Sequence, residues 1–148
     1  TSPNPQPAGT DSTCTLGPNN WGEPLRGGTA ILGCKDYFPI IYYDGDLTIQ
    51  SNGRGQGILL INGDFSVRGT FDFWGIVIVR DDIERGNGTA NIYGAVMSRN
   101  ANLGQGDNDS NWMGNQNVFF SNCAVQSALR GSAILVPVRQ RGWSQIFN

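Results

Sequence analysis

The sequence predicts an all-β fold, a single-stranded β-helix or solenoid with coils of about 18–19 residues and one short helix near the C-terminal end. Two observations predict it. Four segments of the same pattern begin at residues 39, 57, 75 and 94, so the pattern recurs after 18, 18 and 19 residues. The chain also has 21 glycines among 148 residues, which favours tight turns between short strands.

Each repeat follows one plan, which the second unit shows most clearly. Gly57 opens the unit, Ile58–Ile61 form an apolar strand, residues 62–64 form a turn, and Phe65–Val67 form the next strand. Gly114, 20 residues after the fourth start, is a candidate fifth start. No clean six-residue apolar repeat divides the coils, so we expect right-handed winding. An antiparallel sandwich with evenly spaced hairpins is the alternative.

The first strand of each unit is apolar without interruption, as Ile58–Ile61 and Ile76–Val79 show. Such strands are typically buried on both faces, so the outer face needs a cover. We expect the cover to be the chain's own C-terminal segment rather than a neighbouring subunit. Residues 123–130 predict a helix that Gly131 ends, and the apolar run 133–136 follows it. The apolar face of this helix is predicted to consist of Val125, Ala128 and Leu129.

The two ends of the chain differ from the repeats. Residues 1–20 predict an extended, Pro-rich arm, and residues 21–148 predict the solenoid domain with an N-terminal cap and a C-terminal covering segment. The chain has three cysteines, and we expect Cys14 to pair with Cys34, which leaves Cys123 over. Three reduced, buried thiols are the alternative. A disulfide favours an extracellular or cell-surface location.

Composition argues against several function classes. The net charge is −2 and the 10 basic residues are scattered, so we expect no nucleic-acid partner. No apolar run is long enough to enter a membrane. The chain has no His, no nucleophile elbow and no phosphate-binding loop, so we expect no enzyme. Asp46, Asp64 and Asp82 recur at turns and might suggest a carboxylate site on polysaccharide, but we expect them to bond the backbone.

Aromatic residues mark the junctions between coils. Trp74 and Tyr93 directly precede Gly75 and Gly94, and Trp112 lies just before the candidate fifth start. Equivalent positions of a solenoid stack about 4.8 Å apart, so these rings predict a column. The column would serve packing or self-assembly, and a sugar-binding strip is the alternative. In the C-terminal tail, two further aromatic residues are candidates for self-assembly: Trp143 and Phe147.

Two kinds of polar motif remain. Asn87 and Asn108 fit the acceptor pattern for glycosylation. Asp107, Asp109 and Asn111 alternate like the start of a calcium loop, but the closing acidic ligand is missing, so a plain loop is expected. We therefore predict no cofactor and no metal.

Several runs of the sequence resemble a known family. Residues 55–64, 73–80 and 92–96 are similar to the C-terminal region of bacterial type IV pilus assembly proteins of the PilX-like kind, as are residues 37–42 and 121–125. The resemblance implies a β-solenoid and secretion. The coil pattern is also similar to that of bactofilins, solenoids that polymerise end to end.

These observations predict a structural subunit of a secreted bacterial surface assembly. We expect its partners to be copies of itself, in a filament or pilus-like polymer. The alternative is a monomeric surface module that binds glycan or another envelope partner through the aromatic column.

Overall fold

The computed structural model describes residues 3–84, 86–100 and 115–132. Strands account for most of them, with a short 3-10 turn at Leu32–Cys34 and one helix at the C-terminal end. The elements are β1 (Ile40–Asp44), β2 (Leu47–Ile49), β3 (Gly53–Asn62), β4 (Phe65–Val67), β5 (Thr70–Asp82), β6 (Thr89–Asn100), β7 (Asn115–Phe120) and α1 (Asn122–Ser132).

The strands stack in parallel, one coil on the next. One sheet has the order β1-β3-β5-β6-β7 and a second pairs β2 with β4. Ile40 lies opposite Ile58, Ile58 opposite Ile76, and Ile76 opposite Ala95. This register follows the repeat of the sequence, so the predicted β-solenoid is confirmed, with about three turns. The antiparallel sandwich is wrong, because every pair of named strands is parallel. The hand of the winding stays a prediction.

A column of glycines bends the three long strands. Gly57, Gly75 and Gly94 lie opposite one another in the middle of β3, β5 and β6. Their φ angles are +112°, +143° and +148°, values that a residue with a Cβ atom rarely adopts. The bend divides each long strand into two sides of the coil, and the short strands β2 and β4 form a third side.

The interior is filled from all three sides. Inward positions alternate with outward ones along β3 and β5, as expected for strands with one face in a core. Phe71 packs face to face on Phe73, with ring centroids 5.7 Å apart, and edge to face on Phe65. The buried cluster comprises Trp21, Leu47, Ile49, Leu59, Ile61, Phe65, Val67, Phe71, Phe73, Val77, Val79, Ala90 and Ile92.

Helix α1 differs in detail from the prediction. It spans Asn122–Ser132, so Gly131 lies inside the helix and does not end it. Ala124 and Ala128 are its buried residues, whereas Leu129 is 51% exposed. The predicted face of Val125, Ala128 and Leu129 is therefore correct only at Ala128. The physical reason is size, since two alanines four residues apart allow a helix to approach a surface more closely than branched side chains do.

The helix runs along the outside of the sheet against β3, β5 and β6. At its start the Ser121 N–H donates to the Gly94 carbonyl (3.4 Å), and at its end the Ser132 hydroxyl donates to the Phe38 carbonyl (2.9 Å). It therefore passes from the last described coils back to the first. On the outer face, Ile76 of the central strand β5 is 9% exposed, while Ile40 of the first strand is 57% exposed.

The candidate fifth start at Gly114 is wrong. Phe120, not Gly114, lies opposite Gly94, so the equivalent position comes 26 residues later. Glycine is not required there, because β7 ends at Phe120 and the chain turns into α1 instead of bending into another strand. Within the described residues, no helix is long and apolar enough to cross a membrane.

Candidate functional site

The N-terminal segment lies against the first coil. The Pro5 carbonyl accepts the Arg54 N–H (3.0 Å) and the Trp21 carbonyl accepts the Gln56 N–H (2.7 Å). Both bonds satisfy the edge of β3 that faces away from β5, so this segment takes the place of a preceding coil there. The described part of residues 1–20 is thus held on the solenoid through Pro5, which is buried.

A disulfide fixes this segment. Cys14 is bonded to Cys34, which confirms the predicted pair, and Cys123 is free and exposed. Next to the disulfide, the buried Asn20 donates through Nδ2 to the Thr15 carbonyl (2.7 Å) and accepts the Gly22 N–H at Oδ1 (3.0 Å). The disulfide and this asparagine therefore hold together a cap that has little apolar surface of its own.

Replacing both Cys14 and Cys34 with Ser should lower the free energy of unfolding by about 3 kcal/mol, because the bond closes a loop of 20 residues in the unfolded chain. Urea denaturation measures the change. Cys123→Ser is the matched control and should leave the stability within about 0.5 kcal/mol, because this thiol is exposed. Equal stability of all three proteins would show that the cap folds without the disulfide.

A buried ion pair joins the cap to the first full coil. The Glu23 side chain is fully buried, and its Oε2 lies 2.8 Å from Nη2 of Arg54, which is 25% exposed. The Glu23 carboxylate also accepts the N–H groups of Leu25 and Ile31, both at 3.0 Å. One charged group therefore organises the loop that follows Trp21. The sequence contains no repeat or motif that signals this pair.

The recurring aspartates bond the backbone of the next coil. Asp46 Oδ1 accepts the Asp64 N–H (2.9 Å), and Asp64 Oδ1 accepts the Asp82 N–H (2.8 Å). Each carboxylate thus stabilises the turn that follows it along the axis. The described residues contain no group of three or more His, Cys, Asp or Glu that could hold a metal ion. The candidate calcium ligands Asp107, Asp109 and Asn111 lie outside the described residues.

The aromatic column exists, with one change of member. Trp74 stacks on Tyr93 with ring centroids 4.1 Å apart and planes 19° apart. Tyr93 stacks on Phe119 at 5.1 Å and 16°. Phe119 was missed because the fifth unit was aligned on a glycine; alignment on the aromatic residue would have found it. Three further candidates lie outside the described residues: Trp112, Trp143 and Phe147.

The column ends at Gln56, the position before Trp74 along the axis. The Gln56 side chain is buried, and its amide donates to the carbonyls of Lys35 (2.8 Å) and Tyr37 (3.0 Å). The faces of Trp74 and Tyr93 are turned to each other, whereas a sugar stacks on a free ring face. This geometry favours packing as the role of the column.

Exposed apolar side chains are concentrated on the two outermost strands of the five-stranded sheet. On β7, Val118 is 52%, Phe119 49% and Phe120 81% exposed. On β1, Ile40 is 57% and Tyr42 63% exposed. These residues form the most apolar surfaces of the described chain, and we refer to them as the β7 patch (Val118–Phe120) and the β1 patch (Ile40 and Tyr42).

Of the two candidate glycosylation residues, Asn87 is exposed in the turn before β6, and Asn108 lies outside the described residues. Comparison of the chain with family models, curated proteins and solved structures finds no match. The resemblance to pilus assembly proteins and to bactofilins stays a prediction.

Proposed function

We propose that this chain is a structural subunit of a secreted bacterial surface assembly, and that it associates with copies of itself into a filament or pilus-like polymer. The observation that carries the proposal is the β7 patch. Three consecutive apolar residues on an outermost strand are about half exposed or more, and an exposed patch of this kind marks an interaction surface. The outermost strands of a sheet are also where other chains associate.

Two different surfaces are needed for an open polymer, since one self-complementary patch closes into a dimer. The β1 patch is the second surface, at the opposite end of the sheet from the β7 patch. The two patches differ in shape and sequence, so a contact between them is head to tail and repeats without closing. The disulfide supports secretion, because such bonds persist in oxidising compartments.

The described chemistry supports a structural role over catalysis. The aspartates of the turns stabilise neighbouring coils, and the stacked rings stabilise one corner of the solenoid. We therefore propose that the protein is not an enzyme and that it acts without a cofactor.

Phe120→Lys should weaken self-association at least about tenfold, because it puts a charge in the centre of the β7 patch. Sedimentation velocity over a concentration series, with electron microscopy of the largest species, measures the effect. Leu16→Lys is the matched control, because Leu16 is 68% exposed but lies in the N-terminal cap. A wild-type protein that stays monomeric at the highest concentration would refute the polymer.

A further inference from the structure

The outer edge of β1 has backbone groups that no described strand pairs. The Pro39 carbonyl accepts the Ile58 N–H (3.0 Å), and the Gly45 N–H donates to the Asn62 carbonyl (3.2 Å), so odd-numbered residues face β3. Because direction alternates along a strand, the N–H and C=O groups of Ile40, Tyr42 and Asp44 face the other way. Within the described chain β1 pairs with β3 alone, so this edge can accept one more strand.

A cleft of about 440 Å³ lies beside this edge. One wall consists of Ile41, Tyr42 and Tyr43 of β1, and the other of two Pro-Asn pairs, residues 3–4 and 18–19. The cleft thus separates β1 from the N-terminal segment. Its long wall is a strand whose backbone is available for pairing, which fits an extended peptide.

The chain itself leads into this cleft. The Ser132 hydroxyl bonds the Phe38 carbonyl at 2.9 Å, and Gly131 lies so close to the Phe38 ring that a Cβ atom there would be 2.6 Å from Cδ2. Phe38 is two residues before the start of β1. Residue 133 therefore follows from a point beside the start of β1, and a strand from there can run parallel to β1, as the other strands of this sheet do to their neighbours.

The sequence that follows suits one last strand. Ala133-Ile134-Leu135-Val136 is apolar and includes two β-branched residues, which favour strands. Pro137 comes next, and proline is found on edge strands because it lacks the N–H that a further strand would need. The pattern therefore provides one strand and a stop.

We propose that residues 133–136 add to the edge of β1 as a parallel strand and close the cleft. The segment is tethered beside the edge, so it competes with a second copy at a high effective concentration. The β1 end is then closed to strand addition by other chains. Contacts between copies at this end, which the proposed function requires, would be made by the side chains of the β1 patch instead of by a continued sheet.

Hydrogen exchange followed by NMR on the full chain tests the proposal, at a concentration where sedimentation shows monomer. The amide of Tyr42 should exchange within about tenfold of the rate of Tyr43, whose amide faces β3. Leu135→Pro should accelerate exchange at Tyr42 by about 100-fold and leave Tyr43 nearly unchanged. Gln140→Pro is the matched control beyond Pro137 and should change neither rate.

Three results would overturn the proposal. One is rapid exchange at Tyr42 in the wild type, which would show an open edge. The second is protection of Tyr42 that Leu135→Pro leaves intact, which would show another occupant. The third is protection that rises with protein concentration, which would identify a second copy. Because these rates are measured on the monomer, they stand apart from the test of self-association, and either idea can fail alone.

Discussion

Gly75→Ala should lower the free energy of unfolding by on the order of 4 kcal/mol, or prevent folding altogether. A Cβ atom at this position would lie 2.0 Å from the Gly57 carbonyl oxygen, which belongs to the neighbouring strand of the ladder. The φ angle of Gly75, +143°, adds backbone strain for any other residue. To make room, β5 would have to move away from β3, and the hydrogen bonds on both sides of the bend would be lost.

Two control substitutions separate the two causes. Gly45 has a φ angle of +97° but nothing within 4 Å of the added Cβ, so Gly45→Ala tests backbone strain alone and should cost about 1–2 kcal/mol. Gly17 has open space and no positive φ angle, so Gly17→Ala should change stability by about 0.5 kcal/mol or less. Urea denaturation of the three variants should give the order Gly75, Gly45, Gly17. Equal losses at Gly75 and Gly45 would show that the close contact between coils is not what requires glycine.

This glycine column explains why the repeat could be found in the sequence. A coil must return to the same bend at the same height, and only glycine fits there, so Gly57, Gly75 and Gly94 recur at the period of the coil. The strand after each bend has fixed inward and outward positions, which keeps the apolar block at a constant distance from the glycine. The parallel register and the aspartate turns follow from the same period.

Features that are not periodic could not be predicted in the same way. The pairing of Glu23 with Arg54 joins residues 31 positions apart, and no spacing rule connects a loop to a strand of the next coil. The position of β7 was missed because the last coil has no glycine at the bend. The buried face of α1 depends on the shape of the surface it covers, since a glycine column favours Ala124 and Ala128 over larger side chains.

Arg54→Met should lower the free energy of unfolding by about 3 kcal/mol, because it removes the charged partner of a fully buried carboxylate. Methionine keeps much of the apolar stem, so the loss reports mainly the charge. The figure is at the lower end for a broken buried pair for two reasons. Arg54 is 25% exposed, and the Glu23 carboxylate keeps the N–H groups of Leu25 and Ile31.

Arg26→Met is the matched control, because Arg26 pairs with Asp36 at 3.9 Å on the surface, where the side chains are 55% and 74% exposed. It should cost less than about 0.5 kcal/mol. Adding Glu23→Gln to Arg54→Met should restore at least about 1 kcal/mol, because the amide oxygen can still accept a backbone N–H and no buried charge remains. If the double variant is no more stable than Arg54→Met, the loss comes from packing and not from the unpaired carboxylate. The cap would then be held to the first coil by the disulfide and the strand-edge hydrogen bonds, with the ion pair adding little.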